Sequence, residues 1–327
     1  MEAIVGGIAV PQATRVGERR RGWRRAAGAG VGVFALGFGR VAEISSSLYR
    51  AGEGEPVVLL HGFTGHWRHW KPVLADLVAR YEVIAPTLSG HNGGRPFPSG
   101  MALERVADAG DSLEGHLDEL GVGTAHLVGN SMGGSLAIEL AKRGRARSVV
   151  AFSPGGGWEL GGPEPERIAR FFARQMRTVR VFQKQIPRLM RRPGARKLAM
   201  RDIMRNGELI APPDAVDLSL DPLGCTVTND VLASLRAGRG HLEDLDQVDT
   251  PTVVAWAELD RILPLATCSA RFKRELPNAE FRVLPHVGHV PMWDDTRLVV
   301  TTITDWVDAH LARPDAGNLS VAGESAS

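Results

Sequence analysis

The chain has 327 residues, of which 43% are apolar and 23% charged, close to the average of a soluble globular protein and enough to bury a sizeable core. A net charge of +2 predicts by itself neither nucleic-acid nor membrane binding. No apolar run reaches the roughly 18 residues that a membrane-spanning helix needs. The two cysteines, Cys225 and Cys268, have no metal or redox spacing, which reads as ordinary thiols in a reducing compartment rather than a disulfide framework.

In chain order, Arg19, Arg20, Arg21, Arg24 and Arg25 precede a short apolar run at residues 26–38. Such an arrangement is similar to a twin-arginine-type export signal. The run is Gly-rich and no small-residue cleavage site follows it. The preferred reading is a disordered arm over residues 1–40, leading into a first strand near 31–36, in a cytoplasmic protein.

From residue 41 onward, short apolar runs alternate with longer helical patterns. Strands are expected at 41–49, 57–60, 81–85, 125–128 and 148–152, with helices at 71–80, 103–120 and 131–143. The rhythm resumes with strands at 252–256 and 280–284 and a last helix at 296–311. The small, polar tail over 314–327 is expected to be disordered. Strands alternating with helices predict an α/β fold with a mostly parallel sheet and helices on both faces. Between residues 158 and 245 the strand rhythm stops. Ile168, Phe171, Phe172, Gln175, Met176, Val179, Phe182, Ile186, Leu189 and Met190 recur at three- and four-residue spacing, the mark of an amphipathic helix. Pro187 and Pro193 are expected to break it into pieces. The segment reads as a helical cap inserted into a main domain of residues 41–157 and 246–313.

Gly129-Asn130-Ser131-Met132-Gly133 fits the pattern G-x-S-x-G, and its flanks give that short pattern weight. An apolar strand runs directly into it and a helical segment runs directly out. A serine on so sharp a strand-to-helix turn is exposed at the edge of the sheet, and the glycines permit the turn. The helix N-terminus beneath it favours negative charge developing on a substrate.

With these pieces in register the chain resembles the α/β-hydrolase superfamily over about residues 41–313. VVLLHGF is similar to the family's strand ending in His-Gly and an oxyanion-hole residue, and TLSGHNGG to the turn after the next strand. TPTVVAWAELDRILP and PHVGHVPMWDD resemble the segments that carry the acid and the histidine. The resemblance implies a catalytic triad of Ser131, Asp260 and His289, in the family's chain order. It also implies an oxyanion hole formed by the backbone N–H groups of Phe63 and Met132. A serine hydroxyl needs a base to take its proton, and the base needs an acid to hold its tautomer. Glu258 competes with Asp260 for the acid role and His286 with His289 for the base, both less well matched. His61 reads as a histidine holding its loop. His66, His69 and His91 have no metal spacing with a carboxylate, so neither metal nor cofactor is expected.

The function these residues imply is hydrolysis of a carboxylic ester or thioester of a low-polarity small molecule. Phe171, Phe172 and Met176 of the cap are candidate lining residues. Asn130, and more weakly residues 153–157, resemble the C–C bond hydrolases of aromatic-ring degradation. The loop HGFTGHW lacks their longer glycine-rich stretch, however, and Val290 replaces the aromatic they tend to carry after the histidine. A small-molecule-binding α/β-hydrolase without turnover is the remaining alternative. The cap carries thirteen Lys and Arg between Arg167 and Arg205 and one acidic residue, Asp202. A basic amphipathic segment can lie on an anionic membrane or receive an acidic partner. A solvated outer face is preferred here, because an inserted cap must bury its other face in any case. Nothing in the sequence fixes an oligomeric state, and no nucleic-acid partner is expected.

Overall fold

The computed structural model describes residues 32–36 and 40–311, with side chains from residue 43 onward. The expected arm and its export alternative, over residues 1–31, and the tail beyond 311 lie outside the described residues. Among the described residues nine strands form one sheet: β1 (Gly32–Leu36), β2 (Arg40–Ile44), β3 (Leu48–Ala51), β4 (Pro56–Leu60), β5 (Glu82–Pro86), β6 (Ala125–Asn130), β7 (Ala146–Phe152), β8 (Thr252–Ala257) and β9 (Ala279–Leu284). Their order is β1-β2-β3-β5-β4-β6-β7-β8-β9. Pairing is antiparallel from β1 to β5 and parallel from β5 through β9.

The first strand expected near 31–36 is β1, paired with β2, so the sheet begins within the segment 1–40. One expectation here needs correction. The strand expected at 41–49 is two strands. Ser45 ends the first by accepting the Ser47 and Leu48 N–H groups on its Oγ, which closes a tight turn between β2 and β3.

The central strands alternate between two cores, as a two-residue period requires. Val58, Leu60, Leu127, Val149, Val254 and Trp256 face one side, together with α2 (Val106–Glu119) and α3 (Met132–Lys142). Val57, Leu59, Val128, Val150, Phe152 and Val253 face the other. There they meet α1 (Leu74–Val78) and the last helix (Thr296–Ala309). The helix expected at 71–80 is instead a 3₁₀ turn, Trp67–Val73, followed by α1, because Pro72 has no N–H for a regular α-helical ladder.

The cap comprises α4 (Glu164–Phe182), α5 (Ile186–Leu189), α6 (Pro193–Met200), α7 (Pro212–Leu220) and α8 (Thr228–Arg236). The amphipathic run is in pieces as expected, with Pro187 and Pro193 in the first turns of α5 and α6. The first half of α4 buries Ile168, Ala169 and Phe172 against the main core. Its second half turns Val179 into a small separate core with Ile186, Met190, Met200, Met204 and Leu218. Two short helices, α9 (Leu265–Cys268) and α10 (Ala270–Glu275), follow β8, and the C-terminal Thr296–Ala309 is α11. No helix among the described residues is long and apolar enough to cross a membrane. Both cysteines are buried free thiols, and burial raises Cys268 to about 12.

Candidate functional site

Ser131 stands between β6 and α3 with φ 57° and ψ −118°, a left-handed conformation strained for a residue with a side chain. The neighbouring glycines are what allow it. A Cβ at Gly129 would collide with the Gly133 carbonyl, and one at Gly133 with the Leu60 carbonyl at the end of β4. The turn is fixed from both sides: the Ser131 N–H donates to the Phe152 carbonyl, and the Ser131 carbonyl accepts from the Ser135 and Gly155 N–H groups.

Asp260, the expected acid, lies in a loop folded back on β8. The fully buried Trp256 donates its indole N–H to the Leu263 carbonyl at 2.9 Å, closing that loop. Asp260 accepts the Ile262 and Leu263 N–H groups on Oδ1, at 2.9 and 2.7 Å. Its Oδ2 lies 2.6 Å from His289 Nδ1, and both side chains are buried. A carboxylate so placed makes Nδ1 the protonated nitrogen and leaves Nε2 free to act as a base. Glu258 is directed elsewhere: its carboxylate accepts the His286 N–H and faces the His286 ring at 3.5 Å, out toward solvent.

Three contacts hold the backbone of the His289 loop. Asn130 Nδ2 donates to the His289 carbonyl at 2.9 Å and to the Phe152 carbonyl at 3.2 Å. The Val290 N–H donates to Ile203 of the cap at 2.8 Å. The Gly288 N–H donates to Asp294, whose carboxylate also accepts from the Arg205 and Asn206 N–H groups. Cap and histidine loop are therefore one hydrogen-bonded assembly. The cap reaches the acid loop too, through Arg167, which donates to the Ile262 carbonyl at 2.6 Å. Neither Asn130 nor Asp294 announces these roles in the sequence, since the His289 carbonyl for the one and the Arg205 and Asn206 N–H groups for the other are distant in the chain.

Two cavities meet at Ser131. One, of about 100 Å³, has Leu103, Val106, Trp158, Ile168, Val231 and Leu235 in its wall, with Met132 at its edge. The other, of about 40 Å³, contains both Ser131 and His289, with Asn130, Thr64, His69 and Gln175. Phe63 and Phe172 border both, their rings 4.9 Å apart and edge to face. Ser131 Oγ and His289 Nε2 share the second cavity but are not hydrogen-bonded, and such bonds tighten when a substrate is in place. The N–H groups of Phe63 and Met132 donate to no other described residue, so both are available to an oxygen above Ser131. Among the expected cap residues, Phe172 borders both cavities; Phe171 packs on Phe172, and Phe171 and Met176 border neither. Gln175, between them, does. Gly155 and Gly156 line the larger cavity, a use the sequence did not announce.

His61 accepts the Leu88 N–H on Nε2 at 2.9 Å and faces the Gly62 carbonyl through Nδ1 at 2.8 Å, so it carries its proton on Nδ1 and clamps two loops. Burial pushes its pKa well below the ordinary histidine value. Burial likewise lowers His66 to about 3 and His69 and His91 to about 4. These four are therefore neutral imidazoles. Among the described residues no group of three or more His, Cys, Asp or Glu is placed to hold a metal ion.

A sequence model of the alpha/beta hydrolase family matches residues 57–302. Epoxide hydrolase EphH of Mycobacterium tuberculosis is 34% identical over 200 residues, spanning 61% of this chain and 92% of that protein. A 2-hydroxy-6-oxo-6-phenylhexa-2,4-dienoate hydrolase of Burkholderia cepacia is 28% identical over 267 residues, or 75% of this chain and 84% of that one. A thermophilic esterase from Thermogutta terrifontis has the same fold, with a TM-score of 0.61 at 24% identity over 86% of this chain and 97% of its own.

Proposed function

The chain belongs to the alpha/beta hydrolase family, and from that premise we propose that it is a serine hydrolase acting on a carboxylic ester or thioester of a low-polarity small molecule. The observation that carries the proposal is the 2.6 Å contact between Asp260 and His289, in a cavity that also holds the strained Ser131. In the first step Ser131 Oγ attacks the carbonyl carbon while His289 Nε2 takes its proton. The oxyanion is held by the N–H groups of Phe63, in the loop after β4, and of Met132, at the N-terminus of α3, donors typically worth about 3 kcal/mol or more each. The C–O or C–S bond breaks as His289 returns the proton to the leaving group. Water then repeats the sequence and frees the acid. Asp260 keeps the imidazole in its productive tautomer throughout. The larger, apolar cavity fits the acyl side.

The similarity to an epoxide hydrolase does not favour the same reaction here. Serine attack on an epoxide carbon yields an ether, with no carbonyl through which water could release the product; a carboxylate nucleophile is needed for that route. Asn130, the residue that resembled the C–C hydrolases, directs its amide N–H groups to two backbone carbonyls, a positioning role compatible with any acyl substrate. The deciding experiment is a panel of p-nitrophenyl esters of rising chain length alongside a thioester, a vinylogous diketone and a styrene-type epoxide. Turnover of esters or thioesters well above the diketone and epoxide is expected. Preferential cleavage of the diketone would assign the chain to the C–C reaction instead, and binding without turnover to a sensing role.

A further inference from the structure

Two residues that border the smaller cavity each carry a polar atom without a role in the proposed chemistry. Gln175 Oε1 and His69 Nδ1 are each buried and without a hydrogen-bond partner among the described residues, and both side chains belong to the wall of the cavity that holds Ser131 and His289. A buried polar group left unpaired costs about 1–3 kcal/mol, so two in one cavity describe a site for a polar group. The larger cavity next to it has a mostly apolar wall. We propose that the smaller cavity is the leaving-group subsite and that it takes an alcohol bearing a second hydroxyl, held between Gln175 and His69. A hydroxyl both donates and accepts, so it satisfies the amide oxygen and a neutral imidazole together. The inference rests on the ester reading. Its test compares the 2-hydroxyethyl and propyl esters of one medium-chain acid, with wild type and Gln175→Met. The kcat/KM ratio of the two esters should favour the hydroxylated ester about tenfold in the wild type and collapse toward one in the variant. A wild-type ratio near one, or a ratio unmoved by Gln175→Met, would overturn the subsite. Hydrolysis of neither ester would overturn the ester reading itself, and the subsite with it.

A separate observation concerns the outside of the cap. Val181 is 69%, Phe182 48% and Leu198 64% exposed, the first two at the end of α4 and the third on α6. Around them, Arg177, Arg180, Lys184, Arg188, Arg191 and Arg192 are exposed and form no ion pair with any described residue. Cations interleaved with exposed apolar side chains complement an anionic lipid surface, where charge meets headgroups and the apolar groups enter the acyl boundary. We infer that this face docks on anionic membrane, which reverses the preference for a merely solvated surface. Flotation of the full chain with phosphatidylglycerol-containing and pure phosphatidylcholine vesicles tests it. Salt-sensitive binding to the anionic vesicles alone is expected. It should fall about tenfold or more when Arg188→Glu, Arg191→Glu and Arg192→Glu are combined, and also fall with Phe182→Ser. No binding, binding indifferent to lipid charge, or binding to heparin but not to vesicles would overturn it.

Discussion

The sheet domain and the cap are both rich in arginine and use it in opposite ways. On the sheet domain, Arg143 reaches Asp111, Glu114 and Glu139, and Arg145 reaches Glu114 and Asp118, so that α2, α3 and the turn leading into β7 are laced together. Near its ends the cap pairs some cations in the same way, as Arg167 with Glu164 and Lys197 with Glu208. From Arg174 to Arg192 it does not, although seven cations lie in that stretch. Charge on the sheet domain is thus consumed in holding elements together, whereas this part of the cap keeps an uncompensated field facing outward. The same division separates the proposed chemistry. Ser131, Asp260 and His289 stand on strand ends and loops of the sheet domain, while the cap contributes Phe172, Gln175 and the backbone of Ile203 around them.

The largest effect expected from breaking this arrangement is at Asp260, the proposed acid. Asp260→Asn should keep the fold and lower kcat by about 10⁴, because an amide favours the wrong histidine tautomer. Glu258→Gln, at the exposed neighbour, should leave kcat close to wild type; steady-state kinetics on one p-nitrophenyl ester decides, and the reverse ranking would identify Glu258 as the acid. Next comes Asn130. Its alanine variant frees the His289 carbonyl and should lower kcat about 100-fold through misplacement of the base, with KM little changed. Equal losses in kcat and thermal stability would instead make it a purely structural residue.

Stability distinguishes the two regions more gently. Arg143→Met should cost about 2 kcal/mol in urea denaturation, since it strips hydrogen bonds from the nearly buried Glu139, whereas Arg188→Gln should stay within about 0.5 kcal/mol. Acid should act on the sheet domain through its buried histidines. His66, His69 and His91 have folded pKa values of about 3 to 4 against an ordinary 6.5, so between those limits the unfolded chain binds the extra protons. Their contribution to stability is whole above pH about 6.5 and is lost as pH falls toward 4. His91→Gln should flatten that slope by about 1.4 kcal/mol per pH unit at most, measured by denaturation at a series of pH values.

Much of the sheet domain was legible because its signals are local. Runs such as VVLL, HLV and TVVAW are apolar on both faces, as strands buried between two helical layers must be, and each leads into the loop that carries a proposed catalytic group. The pairing of Asp260 with His289, rather than Glu258 with His289, agrees with the spacing of those loops. The cap was legible only as a pattern. Three- and four-residue spacing marks Phe172 and Met176 alike as inward, and both are buried, but only the placement of α4 over the sheet decides which side chain meets the cavity. Gln175 was in the same run and carried no signal of its own. The prolines marked the breaks, since Pro187 and Pro193 each stand in the first turn of a new piece of helix. Asn130 and Asp294 were silent because the contacts that tie them to the His289 carbonyl and to the cap backbone join residues far apart in the chain.

The central claim is that Ser131 is a nucleophile activated by His289, and covalent labelling tests it most directly. A fluorophosphonate probe, with the modified peptide identified by mass spectrometry, should mark Ser131 in the folded protein. Ser131→Ala should lose all labelling, and His289→Gln should lose nearly all of it while keeping the same melting temperature. Folded protein that takes up no probe, or labelling that persists in Ser131→Ala, would contradict the claim.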